Sequence, residues 1–266
     1  MIAQKIERLR RALWTWKQPL TRVPAQAAAR ISDLFIWRNS DEWQTSFELI
    51  DIPALFADDA GAPRYATLFF FDRNGRRFLE KRVDLLPNRR QTLDIGSLAG
   101  ESNGEAGTFA VFHSTTPSVV TGLGSFLAER GYVSYRYRGA PLRAYVHGNL
   151  DAIALGSDGQ LELLGASGLW PREYRVQHAM QGVVLYELAM VNPTSADQWC
   201  TCQLESTPGG KMQGLQRFKL APGGIRLLSF QIDKSEPVRA VIKSRLVMAR
   251  PLVFRIQNSK LDVFHG

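Results

Sequence analysis

The sequence predicts an all-β protein of two tandem antiparallel β-sandwich domains preceded by a short basic amphipathic α-helix. Three observations carry that expectation. From residue 40 onward, apolar and polar residues alternate in short runs rich in β-branched and aromatic side chains, the period-two pattern of half-buried strands. Turn residues separate the runs, and Asn74-Gly75 is the dipeptide best suited to a tight hairpin. The order of runs also occurs twice within the 266 residues.

Residues 1–30 read as the amphipathic helix and a tether. Ile2, Ile6, Leu9, Leu13 and Trp16 recur at helical spacing, Lys5, Arg8 and Arg11 fall mainly on other faces, and Pro19 stops the helix. With Trp14 and Trp16 near its end, residues 2–17 suit an anionic membrane surface, a partner subunit or the helix's own domain. "TRVPAQAAARI" follows as the tether. Net charge is +8, but residues 1–38 hold eight basic and two acidic residues, leaving +6 in the leader and an almost neutral body. That distribution argues against nucleic acid as a partner. Charge interrupts every apolar stretch of the N-terminus, as it does not in a secretory signal, and no segment approaches the ~18 apolar residues of a membrane span. A cytoplasmic protein is expected, peripheral to the inner membrane if the helix docks there.

The first sandwich is expected over 31–160 and the second over 172–266, with "GSDGQLELLGASGLWP" supplying the linker. "WQTSFELIDIP", "RYATLFFFD", "RRFLEKRVDLL" and "RQTLDI" are the early strands; "VVLYELAMVNP", "WCTCQLES", "LQRFKLAP", "IRLLSFQI", "AVIKSRL" and "PLVFRI" are the late ones. Phe47-Glu48-Leu49 aligns with Tyr186-Glu187-Leu188, Pro87 with Pro222 and His113 with His265. Between the copies, "SFLAER" reads as a helical turn or two ended by Gly131, and "YVSYRY", "RGAP", "LRAYVHG" as an extra hairpin. Cys200 and Cys202 lie two apart, on one face of a strand, where they cannot bridge; they read as reduced apolar residues.

The strand order, the "NP" turn after an early strand, the "LAPGG" turn before a strand and the final "SRLVMARPLVFRI" hairpin resemble the bacterial β-sandwich family of the sensory rhodopsin transducer. The resemblance covers residues 174–266 best and 40–114 loosely, and it implies an oligomer that binds small or sugar-like ligands. The leader helix, the middle hairpin and the histidine pattern depart from it. "ISDLFIWRN" is also similar to the opening of uncharacterised bacterial proteins encoded with surface-polysaccharide genes, a likeness that assigns no residue roles.

Three of the four histidines share one setting, "VFHS", "YVHG" and "VFHG", which places His113, His147 and His265 at strand ends before a small residue. Three uses fit: each imidazole caps its strand end on a backbone carbonyl; His113 and His147 line a ligand pocket with Tyr135, Arg136, Tyr137 and Tyr145; or His113, His147 and His265 converge on a metal. "SYRYRGAPLRAY" alternates tyrosine with arginine, giving one aromatic and one basic face; either the face binds a glycan, or the tyrosines pack inward and the arginines are solvated. "TGLGSF" lacks the lysine of a phosphate loop, and no nucleophile-elbow, zinc-protease or kinase signature is present, which lowers an enzymatic reading without removing it. The sequence thus favours a non-catalytic binding or assembly module for a carbohydrate or sugar-like small molecule, needing no cofactor and forming a homo-oligomer. A scaffold that oligomerises or docks on a membrane through its helix is the alternative, and an enzyme with a histidine-supported metal site is a third.

Overall fold

The structure is a computed structural model that describes residues 21–26, 29–52, 54, 64–86, 89–100, 104–114, 128–129, 131–148, 152–206, 210, 212–247 and 250–266. The leader helix expected over residues 2–17 lies outside them. Among the described residues the chain is all-β, with one five-residue helix, α1 (Ile95–Ala99), and no helix long and apolar enough to cross a membrane.

The N-terminal half builds two main sheets. One has the order β2 (Phe35–Arg38), β7 (Ala106–His113), β4 (Tyr65–Phe71), β5 (Arg77–Asp84); the other runs β10 (Ala144–His147), β9 (Tyr132–Tyr137), β3 (Trp43–Leu49), β6 (Gln91–Asp94). A smaller sheet, β12 (Leu161–Leu163), β11 (Ile153–Leu155), β1 (Arg30–Ser32), β8 (Ala128–Glu129), lies beside them. The C-terminal half is one seven-stranded system, β16 (Met212–Leu220), β15 (Gln198–Glu205), β17 (Ile225–Leu246), β14 (Met180–Val191), β18 (Leu252–Gln257), β19 (Lys260–His265), with β13 (Ser167–Arg175) also on β17.

The runs "IRLLSFQI" and "AVIKSRL", expected as two strands, are one strand of 22 residues. β17 changes partners instead of turning: Ile225–Lys234 pairs with β14, and Arg239–Lys243 with β15. A register shift opposite Gly182, at φ 82°, lets four residues of β17 span what two of β14 span. This bulge supplies the bend that a turn would otherwise supply.

With β17 divided at that bend, the two halves have matching strand orders. β2–β7–β4–β5 corresponds to β13–β17–β15–β16, and β10–β9–β3–β6 to β19–β18–β14–β17. The correspondence revises one alignment. His265 ends the counterpart of β10, so its equivalent is His147, while "AVFHS" on β7 matches "AVIKS" on β17 and sets His113 against Lys243. Two segments, one expected as a linker and one as a helical turn or two, are ordered into sheets instead. The expected linker holds β12 and part of β13, and Ala128–Glu129 of "SFLAER" pairs in parallel with β1 as a strand. β12 and β8, of three and two residues, are too short to show period-two patterning on their own.

The sheets stack with apolar faces shared between layers. Leu68 and Phe70 of β4 and Phe109 and Val111 of β7 face one core, while Phe69, Phe71, Ala110 and Phe112 face a second against Ile153 and Leu155. Burial on both faces accounts for the unbroken apolar runs "LFFF" and "FAVF". The first core also takes Ala189, Ile225, Leu252, Phe254 and Ile256 from the C-terminal half; Phe254 meets Trp43 and Tyr135 edge-on at 5.3 and 4.9 Å. A third core, around Cys200, Cys202, Tyr186 and Phe230, belongs to the C-terminal half alone. Both cysteines are free thiols on that buried face, as their spacing predicts.

Candidate functional site

β7, β10 and β19 each end on their histidine, as the repeated tetrads predict. The structure brings two of the three together. The imidazoles of His147 and His265 lie 5.2 Å apart between centroids, and His265 Nε2 donates to the His147 carbonyl at 2.8 Å. The His147 Nδ1 donates to the carbonyl of Gly148, which leaves Nε2 without that bond. Burial pushes the His265 imidazole down to about 4, against the hydrogen bond to the His147 carbonyl and with the charges of Arg250 and His147 adding to it, so it is neutral at physiological pH.

His113 lies elsewhere and has a different role. It is 2% exposed, with Nε2 at 2.8 Å from Glu129 Oε2, while Arg30 Nη1 donates to its carbonyl at 2.7 Å. It joins β7 to β8 and β1 in the interior and does not line the pocket formed by the other two. Among the described residues no group of three or more His, Cys, Asp or Glu side chains is placed to hold a metal.

Strand alternation decides the remaining expected residues. On β9, Val133, Tyr135 and Tyr137 point into the core, and Tyr135 donates its hydroxyl proton to the Ile36 carbonyl at 2.8 Å. Burial drives its phenol well above the usual range, so it is a fixed neutral donor. Arg136 faces the other way, as does Tyr145, which is 52% exposed on β10. The six expected ligand residues therefore divide. Tyr135 and His147 share a pocket, Tyr137 borders a separate polar cleft with Arg38 and Glu187, Arg136 and Tyr145 lie on the outer sheet face, and His113 is internal.

The pocket that holds His147 and His265 is a cavity of about 90 Å³ between the halves. Phe35, Val133, Tyr135 and Val146 from the first half and Val191 and Leu252 from the second form its apolar wall. Asp33, Arg250 and the two imidazoles supply its polar groups. The small residue after His147 is required here: a Cβ on Gly148 would stand 1.7 Å from Asp33 Oδ2. Asp33 and Arg250 were not singled out from the sequence. The one available signal for Asp33 was a carboxylate in the apolar run "ISDLFIW"; Arg250 had none, because only tertiary packing brings the β18 approach to β10. Chemically, the site combines an apolar wall with a carboxylate, a guanidinium and two imidazoles, which suits orienting a small polar molecule by hydrogen bonds. Comparison of the chain with family models and with curated proteins finds no match.

Proposed function

We propose that the protein is a non-catalytic binding module whose ligand is a carbohydrate or sugar-like small molecule held in the cavity between the two halves. One observation carries this reading: His147, His265 and Tyr135 meet Asp33 and Arg250 around an apolar chamber. A volume of about 90 Å³ is well below the roughly 300–1,000 Å³ of pockets that enclose a drug-sized ligand, so one ring or one end of the ligand enters and the rest stays outside. Alternating apolar and hydroxyl faces of a sugar ring match a wall of Phe35, Val146 and Leu252 beside an imidazole and a carboxylate. The ligand class implied by the transducer-family resemblance is the same.

Calorimetric titration of a panel of mono- and disaccharides into the wild type and into His147→Ala and Asp33→Asn tests the proposal. Saturable binding of at least one sugar that both variants weaken by roughly tenfold supports it, since one removes an imidazole that lines the cavity and the other replaces a buried carboxylate with a neutral amide. Binding that neither variant alters, or no binding across the panel, overturns it.

A second reading, assembly, has its own observation. Leu169, Trp170 and Trp199 are 70–79% exposed on β13 and β15, the two neighbours of the later part of β17. Exposed tryptophans of this kind favour a protein interface. Light scattering of the wild type and of a Trp170→Ser, Trp199→Ser variant separates the outcomes: an oligomer that the variant dissociates supports assembly, and a wild-type monomer removes it.

A further inference from the structure

The outer face of the β10–β9–β3–β6 sheet holds cationic donors that the fold leaves unused. β9 sends Ser134 and Arg136 to this face, and β10 sends Tyr145, which is paired in register with Ser134. Arg143 immediately precedes Ala144, the partner of Tyr135, so one further step of the register sets Arg143 across from Arg136. Residues so paired have Cβ atoms about 4.5–5.5 Å apart, and like charges there repel.

The usual remedy is a carboxylate between them, and among the described residues there is none. Arg136 Nη2 donates to the neutral Gln44 Oε1, while Glu42 is engaged by Arg138. The acidic residues of the same face also act elsewhere: Glu48 with Arg90 at 3.2 Å and with the Thr92 hydroxyl, and Asp94 as the cap that accepts from the Ser97 N–H at 3.1 Å. Ser134 Oγ, Arg136 Nε and Arg143 Nη1 are all shielded from solvent and have no hydrogen-bond partner, and Ser134 is buried as a whole residue. Buried donors in native proteins are almost always satisfied, so a cluster of three on adjacent strands calls for an acceptor.

We propose that Arg136, Arg143 and Ser134 form a subsite for a phosphate dianion, free or carried by a sugar whose ring lies against Tyr145. Two adjacent guanidinium groups match two negative charges, where a carboxylate would neutralise only one, and their planar forks suit bidentate phosphate contacts. Tyr145 is 52% exposed beside Ser134 and offers a free aromatic face. Arg143 is four residues from His147, roughly 13 Å along a strand, so the phosphate-binding arginines stand apart from the cavity and do not depend on the reading given for it, while Tyr145 lies two residues from His147 on the same face.

Inorganic phosphate titrated at constant ionic strength tests the subsite. Saturable binding is expected, weakened roughly tenfold or more by Arg143→Gln and by Arg136→Gln and unchanged by Arg226→Gln on another sheet. Arg143 has no partner to lose, so Arg143→Gln should keep the wild-type unfolding midpoint, which separates lost binding from lost fold. Titration of glucose 6-phosphate distinguishes the sources. Equal affinity assigns the subsite to the free ion, and tighter binding that Tyr145→Ala abolishes assigns it to a phosphorylated sugar. No saturable phosphate binding by the wild type, or binding that both arginine variants retain, overturns the proposal. His147→Ala, which addresses the cavity, should leave phosphate affinity unchanged.

Discussion

His265, the penultimate residue of the chain, donates its Nε2 proton to the carbonyl of His147 at 2.8 Å, across 118 residues of sequence. The bond ties β19 to the end of β10 and fixes the tautomer of one imidazole that lines the cavity. It also gives the repeated tetrads a meaning: two of them are equivalent strand ends from two similar halves, brought together where those halves meet.

Burial of the same imidazole sets a pH dependence, which the bond to the His147 carbonyl opposes. The His265 imidazole is held near 4 in the folded chain, below its ordinary value of 6.5. Between those values the unfolded chain binds a proton that the folded chain does not. Stability contributed by neutral His265 is therefore complete above about pH 6.5 and is lost as pH falls toward 4. The urea midpoint should fall over this window, and His265→Asn, which keeps a donor for the His147 carbonyl, should flatten the fall. A variant with the wild-type pH profile would show that the imidazole does not contribute.

Gly75 should be intolerant of any side chain. It sits at φ 76° in the tip of the hairpin between β4 and β5, and a Cβ there would stand 1.9 Å from the Pro222 carbonyl oxygen. The two turns that the sequence marks most clearly, "NG" and "APGG", thus pack on each other, joined by the Ile225 N–H to the Arg73 carbonyl at 3.0 Å. Gly75→Ala should cost about 2 kcal/mol or more in chemical denaturation. Gly159→Ala, at a similar φ of 78° in a turn with open space around it, should cost only about 1 kcal/mol. Equal costs would mean that the contact between the turns does not add to the backbone strain.

Arg38 and Glu187 form an ion pair between the halves, with side chains only 9% and 13% exposed, and the guanidinium lies 3.5 Å over the Trp43 ring. Burial lowers the Arg38 pKa, and the carboxylate of Glu187 opposes that shift. Glu187→Leu leaves the buried cation unpaired and should destabilise by about 3–5 kcal/mol, while adding Arg38→Met should restore much of the loss. A double-mutant cycle with no coupling would exclude a contribution from the pair.

Cys200 and Cys202 should resist alkylation in the native protein. Burial in the C-terminal core pushes their thiols up to about 11 and about 12, so almost no thiolate exists at pH 8. Mass spectrometry should find both unmodified by iodoacetamide under native conditions and both modified in urea. Rapid native labelling would show that the core opens locally.

What the sequence determined was local. Alternation over "WCTCQLE" and "VVLYELAMV" and the aromatic apolar run "YATLFFF" place β15, β14 and β4 where they occur, and Asn74-Gly75 places the hairpin, because strand period and turn chemistry are properties of neighbouring residues. The same alternation contains both possible fates of "YVSYRY", with tyrosines inward and arginines outward or the reverse, and only packing against Phe254 selects between them. Short strands such as β8 and β12 carry too few residues to show a period and exist because β1 and β11 offer hydrogen bonds to them. The cavity belongs wholly to the tertiary level. Asp33, His147, Arg250 and His265 are scattered over more than two hundred residues, and a pocket between two halves is fixed by how their apolar faces close on a common core, a relation that no local pattern encodes.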